Sequence, residues 1–215
     1  MDKKNILITV GSILAIGGFL FSAYIMTSKP VVTDYPDLNT LQANDPVKWS
    51  PAKTQLLIEY SDLQCPACQA FHALLTELEK DSLIKKNITF VYRHYPLDSL
   101  HPNARIAAQA AEAAGIQGKF FEMHDVLFNK QSEWSTSKSP PDFFKKYAVA
   151  LKLDVAKFEK DYTSDAVKKR IQDDQVGGDK VGVQGTPTFY FNGKKLENPQ
   201  SPEAFRTVLL SGIKN

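Results

Sequence analysis

Cys65 and Cys68, separated by Pro66 and Ala67, are the only two cysteines in the 215-residue chain. With no third thiol to staple, a framework of structural disulfides is excluded, and the pair must do something other than close a long loop. Two chemistries use cysteines at this spacing. In thiol–disulfide exchange one thiolate attacks a disulfide sulfur and a second thiol resolves the mixed disulfide. In a zinc site the pair supplies half of the ligands. His72 shares a helical face with Cys65 and Cys68, which makes three ligands conceivable, but no second CxxC or His pair completes the set. No metal or other cofactor is expected.

The flanking elements favour exchange. Leu56-Leu57-Ile58-Glu59-Tyr60 is a nearly continuous apolar run, suited to a strand buried on both faces in the middle of an α/β sheet. Beyond the cysteines, Phe71, Leu74, Leu75 and Leu78 follow a helical period, and Pro66 fits the first helical position, where a missing N–H costs nothing. Cys65 then sits at a helix N-terminus, where unpaired N–H groups and the helix dipole stabilise a thiolate. A strongly depressed pKa is expected for it. Cys68, one turn further in, is close enough to resolve a mixed disulfide yet shielded from substrate. Glu59 is the odd residue of the strand, because a carboxylate among apolar neighbours is costly unless paired or protonated.

The remaining chain supplies a scaffold. Ile88 to Tyr92 reads as a second strand. From Pro96 to Gly185 the pattern turns helical. Pro102 to Ala114 carries an alanine face with Gly115 placed to end it, Phe120, Met123, His124 and Leu127 mark another helix, and Ser139 with two prolines starts a third. Asp154 and Ser164 read as caps of two more. Thr188 to Phe191, Asn192-Gly193 and Lys194 to Glu197 read as a hairpin, and Ser201-Pro202-Glu203 opens a last helix. The order describes an α/β mixed sheet with a helical insertion over about residues 97–182. His72, His94, His101 and His124 are expected to be packing or surface residues, and Arg93 receives no role.

The run Glu59-Tyr60-Ser61-Asp62-Leu63-Gln64-Cys65-Pro66-Ala67-Cys68, with Val183-Gln184-Gly185-Thr186-Pro187-Thr188 downstream, resembles the DsbA-like thioredoxin family. The resemblance covers residues 47–215. It implies a thioredoxin fold, a catalytic Cys65, and a cis peptide bond between Thr186 and Pro187 in a loop that docks substrate through its backbone. It also suggests a proton acceptor beneath Cys68 at Glu59, against the alternative of a sheet-edge residue facing water. One departure is Ala67, where the best-known members have histidine. Stabilisation of the Cys65 thiolate then falls on the helix terminus and the backbone.

The N-terminus bears on location. Lys3 and Lys4 precede an uncharged, mainly apolar run from Ile6 to Met26, 21 residues long. At about 1.5 Å per residue it just spans a hydrocarbon core of roughly 30 Å. It reads as an uncleaved anchor with residues 1–5 in the cytoplasm and the catalytic domain outside the membrane, a cleaved export signal being the alternative. Residues 27–46, polar and holding Pro30 and Pro36, read as a linker.

A formal net charge of +2, without a basic cluster interleaved with aromatics, argues against nucleic acid, and Lys168-Lys169-Arg170 reads as the solvated face of a helix. The expected function is an extracytoplasmic oxidase that gives its disulfide to exported proteins bearing cysteines. A membrane redox partner resembling DsbB or a vitamin K epoxide reductase-like protein would recharge it. The alternatives are a reductase or isomerase, or a non-enzymatic peptide-binding chaperone or metal-binding module.

The topology has a direct test. Protease added to intact, wall-stripped cells is expected to digest the domain while the anchor stays with the membrane. A protected domain contradicts the orientation, and a shortened soluble product replaces the anchor with a cleaved signal.

Overall fold

The computed structural model describes residues 38–52 and 54–213. The expected anchor at 6–26 lies outside them, as does most of the expected linker. Among the described residues no helix is long and apolar enough to cross a membrane.

Five strands form one mixed sheet: β1 (Val47–Trp49), β2 (Leu56–Ser61), β3 (Thr89–His94), β4 (Thr188–Phe191) and β5 (Lys194–Lys195), in the spatial order β1-β3-β2-β4-β5. All six residues of β2 are buried, because β3 pairs with it in parallel on one side and β4 antiparallel on the other. That explains a strand with no alternation of apolar and polar residues. The β4–β5 turn has Asn192 at φ +48° and Gly193 at φ +78°, the left-handed pair that a tight hairpin needs. The returning strand stops at Lys195, two residues short of the expected Glu197.

Two helices, α1 (Pro66–Leu78) and α2 (Ser82–Asn87), connect β2 to β3. Six lie between β3 and β4: α3 (Ala104–Gly115), α4 (Phe120–Asn129), α5 (Gln131–Trp134), α6 (Pro140–Ala150), α7 (Val155–Tyr162) and α8 (Asp165–Lys180). They fill the stretch expected as a helical insertion, and α9 (Pro202–Gly212) follows the hairpin. The caps act as their residue types require: Asp154, Ser164 and Ser201 accept hydrogen bonds from the backbone N–H groups of Lys157, Val167 and Ala204.

Several expectations change. α3 ends at Gly115 as expected, but the left-handed residue beyond it is Gly118, at φ +73°, and the Lys119 N–H closes back on the Ala114 carbonyl. Gly115 also lets Phe120 pack close, since a Cβ there would lie 3.3 Å from the Phe120 side chain. The described part of the expected linker, residues 38–46, belongs to the domain. Leu38 is fully buried in the second core, and Asp45 accepts from both Nη2 (2.9 Å) and Nε (3.1 Å) of Arg93. Arg93, given no role by its sequence context, is thus half of a bidentate buried pair, with side chains 0% and 1% exposed. Arg170 also departs from a solvated face: it is largely buried and pairs with Asp174, while Lys168 and Lys169 remain exposed.

The sheet has two cores. Leu57, Phe90, Tyr92, Phe189 and Phe191 pack against α1, α9 and the insertion. On the opposite face Leu56, Ile58, Tyr60, Val91 and Tyr190 pack with Leu38, Tyr95, Val181 and Val183. Here α8 comes close because residue 178 has no side chain. A Cβ on Gly178 would stand 2.7 Å from the Tyr95 ring and 3.1 Å from that of Tyr60. In an open helix Gly→Ala stabilises by about 1 kcal/mol. Gly178→Ala is instead expected to destabilise by about 1–3 kcal/mol through overpacking, read as a lower denaturation midpoint in urea. A raised midpoint contradicts this packing.

Candidate active site

Where β2 ends, the chain turns through Asp62, Leu63 and Gln64 and enters α1 with Cys65 as the extended N-cap and Pro66 in the first turn. The turn is tied from within. The Cys65 N–H donates to the Asp62 carbonyl at 3.1 Å. The buried Asp62 carboxylate accepts from the N–H groups of Gln64 (2.7 Å) and Leu97 (2.9 Å) and pairs with His101 Nδ1 at 2.8 Å. The insertion grips the same turn from outside. Gln131 Nε2 donates to the carbonyls of Leu63 (2.8 Å) and Cys65 (3.1 Å), and Gln64 reaches the Ser135 carbonyl (2.7 Å) while accepting from the Asn103 N–H (2.6 Å).

This framework gives the two thiols different environments. They are unlinked, and both are largely buried, but only Cys65, at 7% exposure, reaches the surface; Cys68 is at 0%. Cys65 Sγ lies 3.6 Å from the Thr186 carbonyl, and Cys68 Sγ accepts from the Asp62 N–H at 3.5 Å. The Cys65 thiol is pulled down to about 5. The Cys68 thiol contributes most by hydrogen bonding; burial opposes it, and the Cys68 N–H, Thr186 and the Ala67 N–H add to it. The depression expected from the helix terminus is present, with the Cys68 thiol as its leading cause. Cys68 moves the opposite way, well above the ordinary thiol value, because burial and then the neighbouring Cys65 and Glu59 oppose a second charge.

Glu59 lies in the central strand and is 2% exposed, so the sheet-edge alternative does not hold. Burial raises its pKa to about 7; Ser61 and Lys48 pull it down, and the charge of Cys65 adds to the rise. A carboxyl group that titrates near neutrality beside a buried thiol can take or give a proton there. On the far side, the Thr186–Pro187 peptide bond is cis, as the resemblance implied. Thr186 is half-buried and Pro187 buried, with Asn198 Nδ2 donating to the Pro187 carbonyl at 2.9 Å. The fold therefore brings together Cys65, Cys68, Glu59 and the Thr186–Pro187 loop.

His72 does not join the thiols. It stacks on Phe128 with ring centroids 5.0 Å apart, and its Nδ1 lies 3.8 Å from Asp125. Among the described residues, the group whose ligand atoms approach within 4.8 Å of one another is His72, His124 and Asp125, with neither cysteine in it. The Cys65–Cys68–His72 zinc alternative thus loses its third ligand. The four histidines are also more than packing residues, since each lies within 4 Å of a carboxylate: His72 and His124 by Asp125, His94 by Glu112 and His101 by Asp62. Of the residues that sequence reasoning passed over, Ser61 and Asp62 stand in the motif directly before Cys65. Gln131, Asn103 and Glu112 are distant in sequence and carry no local signal.

A family model described as thioredoxin matches residues 49–210. Among solved structures, alpha-DsbA1 of Wolbachia pipientis superposes with a TM-score of 0.71 at 21% identity, covering 81% of this chain and 93% of that one. BdbD of Bacillus subtilis, in its oxidised form, gives 0.71 at 21%, covering 80% and 94%. The curated relatives are longer proteins. A Na(+)/H(+) antiporter NhaA 1 of Salinispora arenicola is 39% identical over 157 residues, which are 73% of this chain but 23% of that protein. The corresponding protein of Mycobacterium sp. strain KMS is 31% identical over 98% of this chain and 34% of its own length. The chain spans a quarter to a third of these relatives, and the antiporter name belongs to them. With the match over most of its length, a five-stranded mixed sheet and the CxxC at the head of α1, this chain belongs to the thioredoxin family and has the fold of its DsbA-like thiol–disulfide oxidoreductases.

Proposed function

We propose that the protein is a membrane-anchored thiol–disulfide oxidase whose domain faces the outside of the cytoplasmic membrane and introduces disulfides into exported proteins. The observation that carries this reading is the split between the thiols, with Cys65 lowered to about 5 and Cys68 raised. At neutral pH the reduced protein holds one thiolate and one thiol. A depressed pKa stabilises the reduced, folded form. The contribution is full above the ordinary thiol value near 9 and is lost as the pH falls through about 5. Across neutral pH most of it is present, so the pair draws electrons from client thiols.

Cys65, at the surface, is the sulfur that clients attack; Cys68 is the leaving group and can return to Cys65 to break a stalled mixed disulfide. Glu59 exchanges the proton of Cys68, and the Thr186–Pro187 loop beside Cys65 aligns the client chain. The lysine-flanked apolar run at 6–26 supports the anchor and the outward orientation. Such an anchor would hold the domain near a membrane-embedded partner of the DsbB or vitamin K epoxide reductase kind, which would return the reduced pair to the disulfide.

Removing one thiol at a time tests the division of labour. Cys68→Ser, expressed in cells, is expected to accumulate mixed disulfides with exported proteins, because the resolving thiol is gone. Cys65→Ser is expected to trap none. Both are read as reducible high-mass species on non-reducing gels. Equal trapping by the two variants contradicts the assignment, and no trapping by either contradicts exchange itself.

A further inference from the structure

Buried polar atoms without partners gather beneath Cys68. Glu59 Oε1, Ser61 Oγ, Tyr92 Oη, His94 Nδ1 and His124 Nε2 all lack a hydrogen bond, and each residue is at most 2% exposed. One such atom costs about 1–3 kcal/mol, so several in one place ask for a reason. The sheet register places four of them together. Glu59 and Ser61 alternate onto one face of β2 and stand opposite Tyr92 and His94 of β3 as direct partners. The Tyr92 ring then contacts His94 at 5.1 Å and His124 at 4.7 Å between centroids. Ser61 Oγ falls short of a full hydrogen bond to Glu59, Cys68 or Tyr92, yet stands near enough to each for a weak polar contact that lowers its pKa.

The block also has an outlet. His94 Nε2 lies 3.2 Å from Glu112 Oε1, and the Glu112 side chain is 12% exposed in a cleft that Asp45, Ile116 and Arg170 also line. Around His94 stand Tyr92, Glu112 from α3, Phe120 from α4, and Asp174 from α8, whose carboxylate accepts the His94 N–H at 2.9 Å. Arg170 pairs with Asp174, and Lys48 of β1 acts on Glu59. A neutral imidazole accepts a proton on one nitrogen while releasing one from the other, and a hydroxyl donates and accepts at once.

We propose that Ser61, Tyr92 and His94 conduct protons between Glu59, beneath Cys68, and Glu112 at the cleft. This rests on the exchange activity proposed above. A client thiolate attacks Cys65 Sγ of the Cys65–Cys68 disulfide; the new S–S bond forms to Cys65, and Cys68 leaves with the electron pair of the old one. Cys68 takes the proton of Glu59. The client's second thiolate then attacks the client sulfur of the mixed disulfide, and Cys65 leaves as a thiolate. The client has lost two electrons and the protein has gained them. Glu59, left as a carboxylate, recovers a proton from solvent at the cleft, passed in through Glu112, His94, Tyr92 and Ser61. The three residues act through Glu59 and touch no client atom.

The test is the single-turnover reduction of the oxidised full chain by a peptide bearing two cysteines, followed by stopped flow from about pH 5 to pH 9. His94→Ala and Glu112→Gln are each expected to be about tenfold slower near neutral pH, with the Cys65 thiolate midpoint unchanged. Added imidazole is expected to restore most of the rate of His94→Ala. Glu112→Gln, at the partly exposed end, keeps the proposal open to refutation should His94→Ala fail to fold. Wild-type rates and pH profiles in both folded variants overturn the path. So does a slowed His94→Ala that imidazole leaves unchanged beside a fully active Glu112→Gln. A wild-type protein that does not react with the peptide at all refutes the exchange reading instead.

Discussion

A thiol with no exposure sits one helical turn below a thiol that reaches the surface, and the chemistry of the site depends on that difference in depth. Two thiolates this close repel, and burial decides which one yields. Burial keeps Cys68 protonated, and hydrogen bonding from it is the largest influence lowering Cys65. The same burial raises Glu59 toward neutrality. One constraint thus sets a low-pKa thiol, a high-pKa thiol and a carboxyl group titrating near neutrality within a few residues of one strand and one helix, the three groups that the proposed exchange uses.

Holding the depth difference requires that the turn from β2 into α1 not move, and the insertion supplies that hold. Gln131, Gln64 and Asn103 link α5 and the start of α3 to the backbone around Cys65. Asp62 fastens the turn to Leu97 and His101 from the other side. On the opposite face of the sheet, the Arg93–Asp45 pair draws residues 38–46 over Tyr60. Breaking a buried pair of that kind typically costs about 3–5 kcal/mol, so the segment before β1 is part of what keeps the sheet in register.

The fold was legible where the signals are local. Leu56 to Tyr60 reads as a buried central strand because it lacks alternation, and Asp154, Ser164 and Ser201 cap the helices that they precede. Cys65, Cys68, Glu59 and Pro187 were legible through spacing and resemblance. What could not be read is what depends on tertiary contact. Nothing near Arg93 in sequence announces Asp45, 48 positions earlier. Gly115 ends α3, as glycine's preference for such ends suggests, but the packing of Phe120 into the space that it leaves has no local signal. The carboxylate partners of His72, His94 and His101 follow from the insertion folding back on α1, β3 and the turn before α1, which periodicity alone cannot foresee, whereas His124 pairs with the adjacent Asp125. The polar block of Glu59, Ser61, Tyr92 and His94 needed the register between β2 and β3.

The central claim is that the two thiols titrate far apart, and thiolate absorbance measures this directly. Titration of the reduced protein from strong acid to about pH 9 should reveal a single thiolate with a midpoint near 5, and no second one in that range. Replacing Cys68 by alanine should move the midpoint upward, because the leading stabiliser of the Cys65 thiolate is gone. Two thiolates appearing together near the unperturbed value of about 8.5, or a midpoint indifferent to the loss of Cys68, would contradict the account.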